Sequence, residues 1–299
     1  MNLLWNGRDK VQKLTFINSR GETIEFGNSA PYVLSNLEGT GGVETDIQTT
    51  KAPFQDGSTL HDVILQTRAI SIEGAVIGKS REDMYLQRQK LARVLNPKLG
   101  AGVLRYQNDA GIKEIESVAE QSPVFKERYS NNNLFLVSLV CPSPFWLEQF
   151  EAKEEIAAWM GDVQFPFEVS DGGAVMGHRE SNLIVNVNNT GDVECGMRIE
   201  FKALASVTNP SLLDVNTREF IKIKQTLQAG DKLTICTSFG KKKVELNRAG
   251  VTSNVFNYID LDSTFLQLAP GDNLLRYDAE AGIDNLEVSI YYRPQYVGV

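Results

Sequence analysis

At 299 residues, with 42% hydrophobic and 23% charged side chains, the chain has the length for two domains and the composition of a globular protein, not a disordered one. The 38 acidic against 30 basic residues leave a formal charge of -8, which argues against a nucleic-acid-binding face, since such a face needs clustered Lys and Arg to release counterions. No run approaches the roughly 20 apolar residues that span a bilayer, the opening MNLLWNGRDK lacks the apolar stretch of a signal peptide, and Cys141, Cys195 and Cys236 form no CxxC unit, so synthesis in a cytoplasm, no membrane and no thiolate metal site are expected.

LTFINSRGETIEF (14–26) is two short β-rich runs around Asn18-Ser19-Arg20-Gly21, a turn composition that predicts a β-hairpin. From about Leu37 to Leu60 several Gly, one Pro and many Thr follow one another with no sustained period, and a loop this long inside a compact domain is usually functional or disordered. GTGG at 39–42 reads as a flexible loop and not a phosphate cradle, because no helix follows it. Phe54 is an apolar residue in polar surroundings. It anchors the loop locally or docks on another subunit, and with Gln55, Asp56 and Leu60 it makes up a candidate set of subunit or partner contacts.

LQTRAISIEGAVIG (65–78) alternates like a strand, and SREDMYLQRQKLARVLNP (80–97) then predicts the chain's one helix. Ser80 is the expected N-cap and Asp83 sits at the capping-box position. Met84, Leu91, Val94 and Leu95 form an apolar stripe, Arg81, Arg88 and Lys90 look outward, and Asn96-Pro97 ends the run. LFLVSLVC (134–141) is apolar on both faces and reads as a central strand. Pro142 and Pro144 break the ladder, which puts the domain boundary near 145: a β-rich domain with one helix over 1–145 and a second domain over 146–299.

In the second part, strand signals recur about every ten residues: LIVNV, MRIEFKA, FIKIKQTL, KLTICTS, VFNYI, FLQL, NLLRYDA and LEVSIYYR. In MRIEFKA, Met197, Ile199, Phe201 and Ala203 share one face while Arg198, Glu200 and Lys202 share the other, the pattern of an antiparallel sandwich. Lys241-Lys242-Lys243 reads as a solvated hairpin tip. Phe145, Trp146 and Trp159 flank the boundary and are expected to pack the domains together.

Catalytic signals are weak. His61 and His178 have no second ligand at a metal-binding spacing, and no GxSxG, HExxH or Walker loop occurs. Asp260 and Asp262 in YIDLDST would share a strand face, and Glu168 has acids nearby, but such pairs arise by chance among 38 acids. The sequence therefore predicts no catalytic residue, cofactor or metal.

Taken in order, the LTFINSRGETIEF hairpin, the R-x-I-x-I-x-G strand at Arg68 to Gly74, the helix running into LARVLNP, the strand ending in CPSPFW, NNTGD, LQAGDKLTICTSFGKKKV and NYIDLDSTFLQLAPGDNLLRYDA resemble the siphophage distal tail protein (Dit) family. The resemblance implies a mainly β protein: an N-terminal ring-forming, tail-tube-like domain with one helix, and a C-terminal galectin-like antiparallel β-sandwich. It also implies a homo-hexameric ring, single or as two stacked rings, at the tail tip of a virion. That ring would join the tail tube protein to the tail-tip protein, with a receptor-binding protein as a further partner and DNA only passing through the lumen. The 37–60 segment then becomes a candidate arm, and removing residues 40–58 is expected to leave a folded monomer. The rivals are a carbohydrate-binding module for the host surface, which needs exposed aromatics on the second sandwich, and a β-sandwich glycosidase, which needs two acids facing each other.

Overall fold

The computed structural model describes residues 12–157, 159–161, 177–179 and 183–299. Two compact units emerge: one from the described residues up to Gln149 together with Tyr296–Val299, the other from Phe150–Gln295. Glu168 and the side chains of Trp159 and His178 lie outside the described residues.

The first unit contains strands β1 (Lys13–Ile17), β2 (Thr23–Phe26), β3 (Tyr32–Glu38), β4 (Thr45–Thr50), β5 (Thr59–Leu65) and β6 (Arg68–Ile77), helix α1 (Arg81–Val94), then β7 (Gly102–Asn108), β8 (Gly111–Ala119), β9 (Val124–Tyr129), β10 (Asn132–Cys141) and β11 (Trp146–Glu148). Seven of these run in the order β2-β1-β7-β8-β10-β6-β3, antiparallel at each step. The two ends of that path meet where Gly27 N donates to the Tyr32 carbonyl at 3.2 Å and Leu34 N donates to the Gly27 carbonyl at 2.8 Å. A sheet that closes on itself leaves no open edge along the path.

The β1–β2 turn is held by Asn18, whose Oδ1 accepts from the Arg20 and Glu22 amides at 3.0 Å each, while its Nδ2 donates to the Val94 carbonyl at 3.3 Å. Strand β6 buries every second residue, and Gly74 sits where a Cβ would come within 2.2 Å of the Val33 carbonyl oxygen. Only glycine lets β3 and β6 approach this closely.

Helix α1 starts as its sequence predicts. Ser80 Oγ accepts from Asp83 N at 3.1 Å, and Asp83 Oδ2 accepts from Lys79 N at 2.8 Å. Met84, Leu91, Val94 and Leu95 are at most 1% exposed and join the unit's core, each worth about 1.5–3 kcal/mol of burial. Arg88 departs from expectation. It is half-buried, with its guanidinium 4.2 Å from the Phe125 ring centroid and 5.4 Å from that of Tyr85, because a guanidinium on a long apolar stem can cover aromatic faces while its helix turn faces outward. Trp146 also departs: it is fully buried in the first unit's own core, 6.1 Å from the Tyr106 ring.

The second unit continues with β12 (Ala152–Ala157), β13 (Trp159–Gly161), β14 (Gly177–Arg179), β15 (Ile184–Asn189), β16 (Cys195–Ala203), β17 (Val207–Asp214), β18 (Phe220–Lys222), β19 (Thr226–Leu227), β20 (Lys232–Cys236), β21 (Lys243–Arg248), β22 (Val251–Asn254), β23 (Gln267–Leu268), β24 (Gly271–Ala281) and β25 (Leu286–Tyr292); a last short strand, β26 (Gln295–Tyr296), follows. One sheet runs β12-β25-β16-β20-β21-β22 and the other β15-β24-β17-β18. Their apolar residues, among them Met197, Ile199, Phe201, Leu212, Leu275 and Tyr277, form one core, as alternating strands of an antiparallel sandwich require. At its margin Asp231, 2% exposed, accepts from Arg248 Nε at 3.0 Å and from Gln228 N at 2.8 Å. The guanidinium holds this carboxyl below the usual range.

VFNYI, predicted as a strand, is instead a 3-10 turn over Phe256–Tyr258, because Asn254 Oδ1 takes the Phe256 amide at 2.9 Å and turns the backbone. Asp260 and Asp262 consequently lie in the turn that follows and share no strand face; Asp260 pairs with Lys224 at 3.0 Å.

Candidate assembly surface

The segment predicted as a structureless loop is an antiparallel hairpin. Strands β4 and β5 form a two-stranded sheet of their own, in the register Thr45↔Leu65, Asp46↔Ile64, Ile47↔Val63, Gln48↔Asp62, Thr49↔Leu60 and Thr50↔Thr59, with His61 as the extra residue at a bulge. β-branched Thr, Ile and Val favour the extended backbone, yet β4 is exposed along its whole length and β5 up to Ile64. No face is covered, so selection for a buried side leaves no alternation in the sequence to read.

The register gives the hairpin one apolar side. Ile47, Val63 and Leu60, at 60%, 50% and 58% exposure, line up with Thr45, Thr49 and Leu65, while Asp46, Gln48, Asp62, Thr50 and Thr59 take the other side, with Ile64 as the one apolar residue among them. Thr50 Oγ1 lies 2.6 Å from His61 Nε2. A lone two-stranded hairpin is marginal in water, and an exposed apolar stripe marks an interaction surface.

The four predicted contact residues divide. Phe54 is fully exposed at the hairpin tip and has φ +64°, a left-handed conformation that costs a bulky residue about 1–2 kcal/mol. Gln55 serves the turn itself: its amide donates to the Ala52 carbonyl at 3.1 Å, its Oε1 accepts from Ala52 N at 3.0 Å, and its Nε2 donates to Thr59 Oγ1 at 3.2 Å. Asp56 is exposed beside it, and Leu60 stands on the apolar side of β5. The structure thus brings Phe54 and Leu60 onto one projecting element and assigns Gln55 to shaping its tip.

At the hairpin's base, Arg68 is 1% exposed and donates to four carbonyls: Gly39 at 2.6 Å, Gly41 at 3.3 Å, Pro144 at 2.8 Å and Val297. Its guanidinium also stands 6.0 Å from the Trp146 ring. GTGG is therefore an arginine-anchored turn. Gly39, at φ +90°, lies where a Cβ would be 2.0 Å from the Ala69 carbonyl oxygen. The chain's last residues close the same knot, with Val299 N donating to the Thr40 carbonyl at 3.3 Å and the Tyr296 hydroxyl to Glu148 at 2.9 Å. Sequence reasoning missed both roles. The one signal was an arginine at the start of an otherwise apolar strand face, where an unpartnered charge would be too costly to bury.

Burial pushes the thiols of Cys141 and Cys195 up to about 12, so neither supplies a thiolate at neutral pH. Among the described residues no group of three or more His, Cys, Asp or Glu is placed to hold a metal, and no helix is long and apolar enough to cross a membrane.

Two family sequence models match the chain: the phage tail protein RIFT-related domain over residues 19–141 and the siphovirus-type tail component, C-terminal domain, over residues 190–296. Among solved structures, the Dit protein of phage SPP1, a hub of the adsorption apparatus in phages that infect Gram-positive hosts, superposes with a TM-score of 0.67 at 13% identity, covering 94% of this chain and 98% of that one. A chain of the phage P2 baseplate, in its activated conformation with Ca, superposes with a TM-score of 0.56 at 11% identity, covering 96% of this chain and 99% of that one. No curated protein sequence matches. The two models fall on the two structural units in the same order, and the chain belongs to the siphophage distal tail (Dit) family of baseplate-hub proteins.

Proposed function

We propose that the protein is a structural adaptor at the tail tip, a homo-hexameric ring that joins the tail tube to the tail-tip and adsorption proteins, with DNA passing through its lumen and no catalytic role. It would be made in the host cytoplasm and reach its place by assembly. The observation that carries the reading is the β4–β5 arm: an exposed hairpin with an apolar side and a fully exposed Phe54, fixed at its root by a buried arginine. A rigidly rooted element that exposes Ile47, Leu60 and Val63 is built to be covered by a neighbouring subunit.

The test is the mass of the purified protein by light scattering, with negative-stain images of the same peak. A six-fold ring with a central hole is the expected result. Replacing residues 46–64 by a short Gly-Ser linker keeps the Gly39, Thr40 and Gly41 carbonyls that the anchor uses, so it is a cleaner change than removing 40–58. This variant is expected to be a folded monomer, and an unchanged ring would sink the arm's role. The carbohydrate-binding reading has exposed aromatics in its favour, with Phe239 at 71% and Phe256 at 45% exposure, and a glycan array on the same sample tests it.

A further inference from the structure

If the arm engages a second copy, as proposed above, that copy must offer a surface to receive it, and the charge distribution identifies one. The arm is acidic, carrying Glu44, Asp46, Asp56 and Asp62 against Lys51. Within a chain of net charge -8, the helix segment is the opposite, with Lys79, Arg81, Arg88, Lys90, Arg93 and Lys98 against Glu82 and Asp83. The helix also exposes apolar area that its own core leaves uncovered, Tyr85 at 39% and Leu86 at 56%. Beside it lies β9, which among the described residues pairs only with β10 and leaves its outer edge open, with Val124 at 39% and Tyr129 at 61% exposure. Arg88 bridges the two elements through the rings of Tyr85 and Phe125, and its buried Nε has no hydrogen-bond partner among the described residues.

We propose that the outer face of α1 together with the open edge of β9 is the receiving surface for the β4–β5 arm of a neighbouring copy. The acidic side of the arm meets the cationic helix, and Ile47, Leu60, Val63 and Phe54 cover Tyr85, Leu86 and Val124. Charge of this kind sets partner choice and association rate and fades with salt, while the apolar contacts supply most of the affinity. The contact is heterologous, since the arm and its receptor are different patches, and heterologous contacts close into a ring where the rotation between successive copies closes.

The experiment is a charge swap read by light scattering over a range of concentration and salt. Arg81→Glu with Lys90→Glu, both at exposed helix positions, is expected to weaken assembly at least tenfold with an unchanged melting temperature. Asp46→Lys with Asp62→Lys is expected to do the same, and the four changes together to restore assembly. A ring that survives the helix reversal while the arm replacement is monomeric overturns this surface but leaves the arm's role standing. A ring that survives the arm replacement overturns both. A wild-type chain that stays monomeric at every concentration overturns the self-contact.

Discussion

The β4–β5 arm and the outer face of the β12-β25-β16-β20-β21-β22 sheet are both exposed β surface, yet they are made in opposite ways. On the sheet, nearly every charge faces its opposite: Arg198 meets Glu151 at 2.7 Å and also Glu200, Lys232 meets Glu200 at 2.8 Å, Lys202 meets Glu287 at 2.8 Å, and Lys243 meets Glu245 at 2.9 Å. Arg198 and Lys153 lie over the Tyr291 ring as well. Such a lattice is satisfied in water and offers a partner little that solvent does not already supply. On the arm the exposed groups include, beside its acids, the apolar Ile47, Leu60, Val63 and Phe54, whose area water cannot satisfy. The contrast teaches where this chain keeps to itself and where it is unfinished alone.

The strongest way to break that contrast is at the arm's root. Arg68→Met removes the donor shared by the carbonyls of Gly39, Gly41, Pro144 and Val297, and each buried acceptor left short of a partner costs about 1–3 kcal/mol. The expected outcome in calorimetry is a fall in the first unit's melting temperature on the order of 10 °C, at roughly 2–4 °C per kcal/mol for a unit of this size; a second unit that melts as before would locate the damage. An unchanged first transition would mean the knot is decoration.

A smaller loss is expected at Asp231 in the second unit. Its carboxyl is held low by Arg248, so the folded state favours the charged form. The stabilisation is fully present above the unfolded carboxylate value of about 3.9 and disappears as pH falls through the lower folded value. Asp231→Asn is expected to cost about 1–3 kcal/mol near neutral pH and to lose its penalty in strong acid. Urea titrations at the two pH values check this, and a penalty independent of pH would point to packing alone.

Phe54→Ser probes the arm's tip without touching its fold. Because the ring is fully exposed, the monomer's melting temperature should not move, while assembly should weaken about tenfold, the 1.4 kcal/mol scale of a modest interface anchor. Analytical ultracentrifugation separates the two. The smallest effect is expected on the charged sheet: Lys202→Ala removes one exposed pair with Glu287 and should shift stability by less than about 1 kcal/mol and assembly not at all. A ring lost by that change would make the sheet, and not the arm, the contact surface.

Legibility tracked local causes. The Asn18 turn, the Ser80 cap and the helix stripe of Met84, Leu91 and Val94 could be read because each depends on neighbours within a few residues. The alternation of MRIEFKA was equally plain, since one side of β16 is buried and the other wet. VFNYI failed because a single asparagine amide acceptor outweighed strand propensity. The arm failed differently: with both faces in water, composition carried no period, and pairing alone made it a hairpin.

By itself, the sequence determined the β-rich character, the single helix with its caps, and the ordered motifs that resemble the distal tail family, because these rest on periodicity and short-range hydrogen bonds. Only the tertiary structure decided that Arg68 anchors the arm, that residues 296–299 return to the first unit, and that Trp146 belongs to that unit's core. Val297 lies 229 positions from Arg68 along the chain, and no local rule specifies such a contact; it exists because folding brings a buried cation and backbone carbonyls from distant segments together, where each satisfies the other.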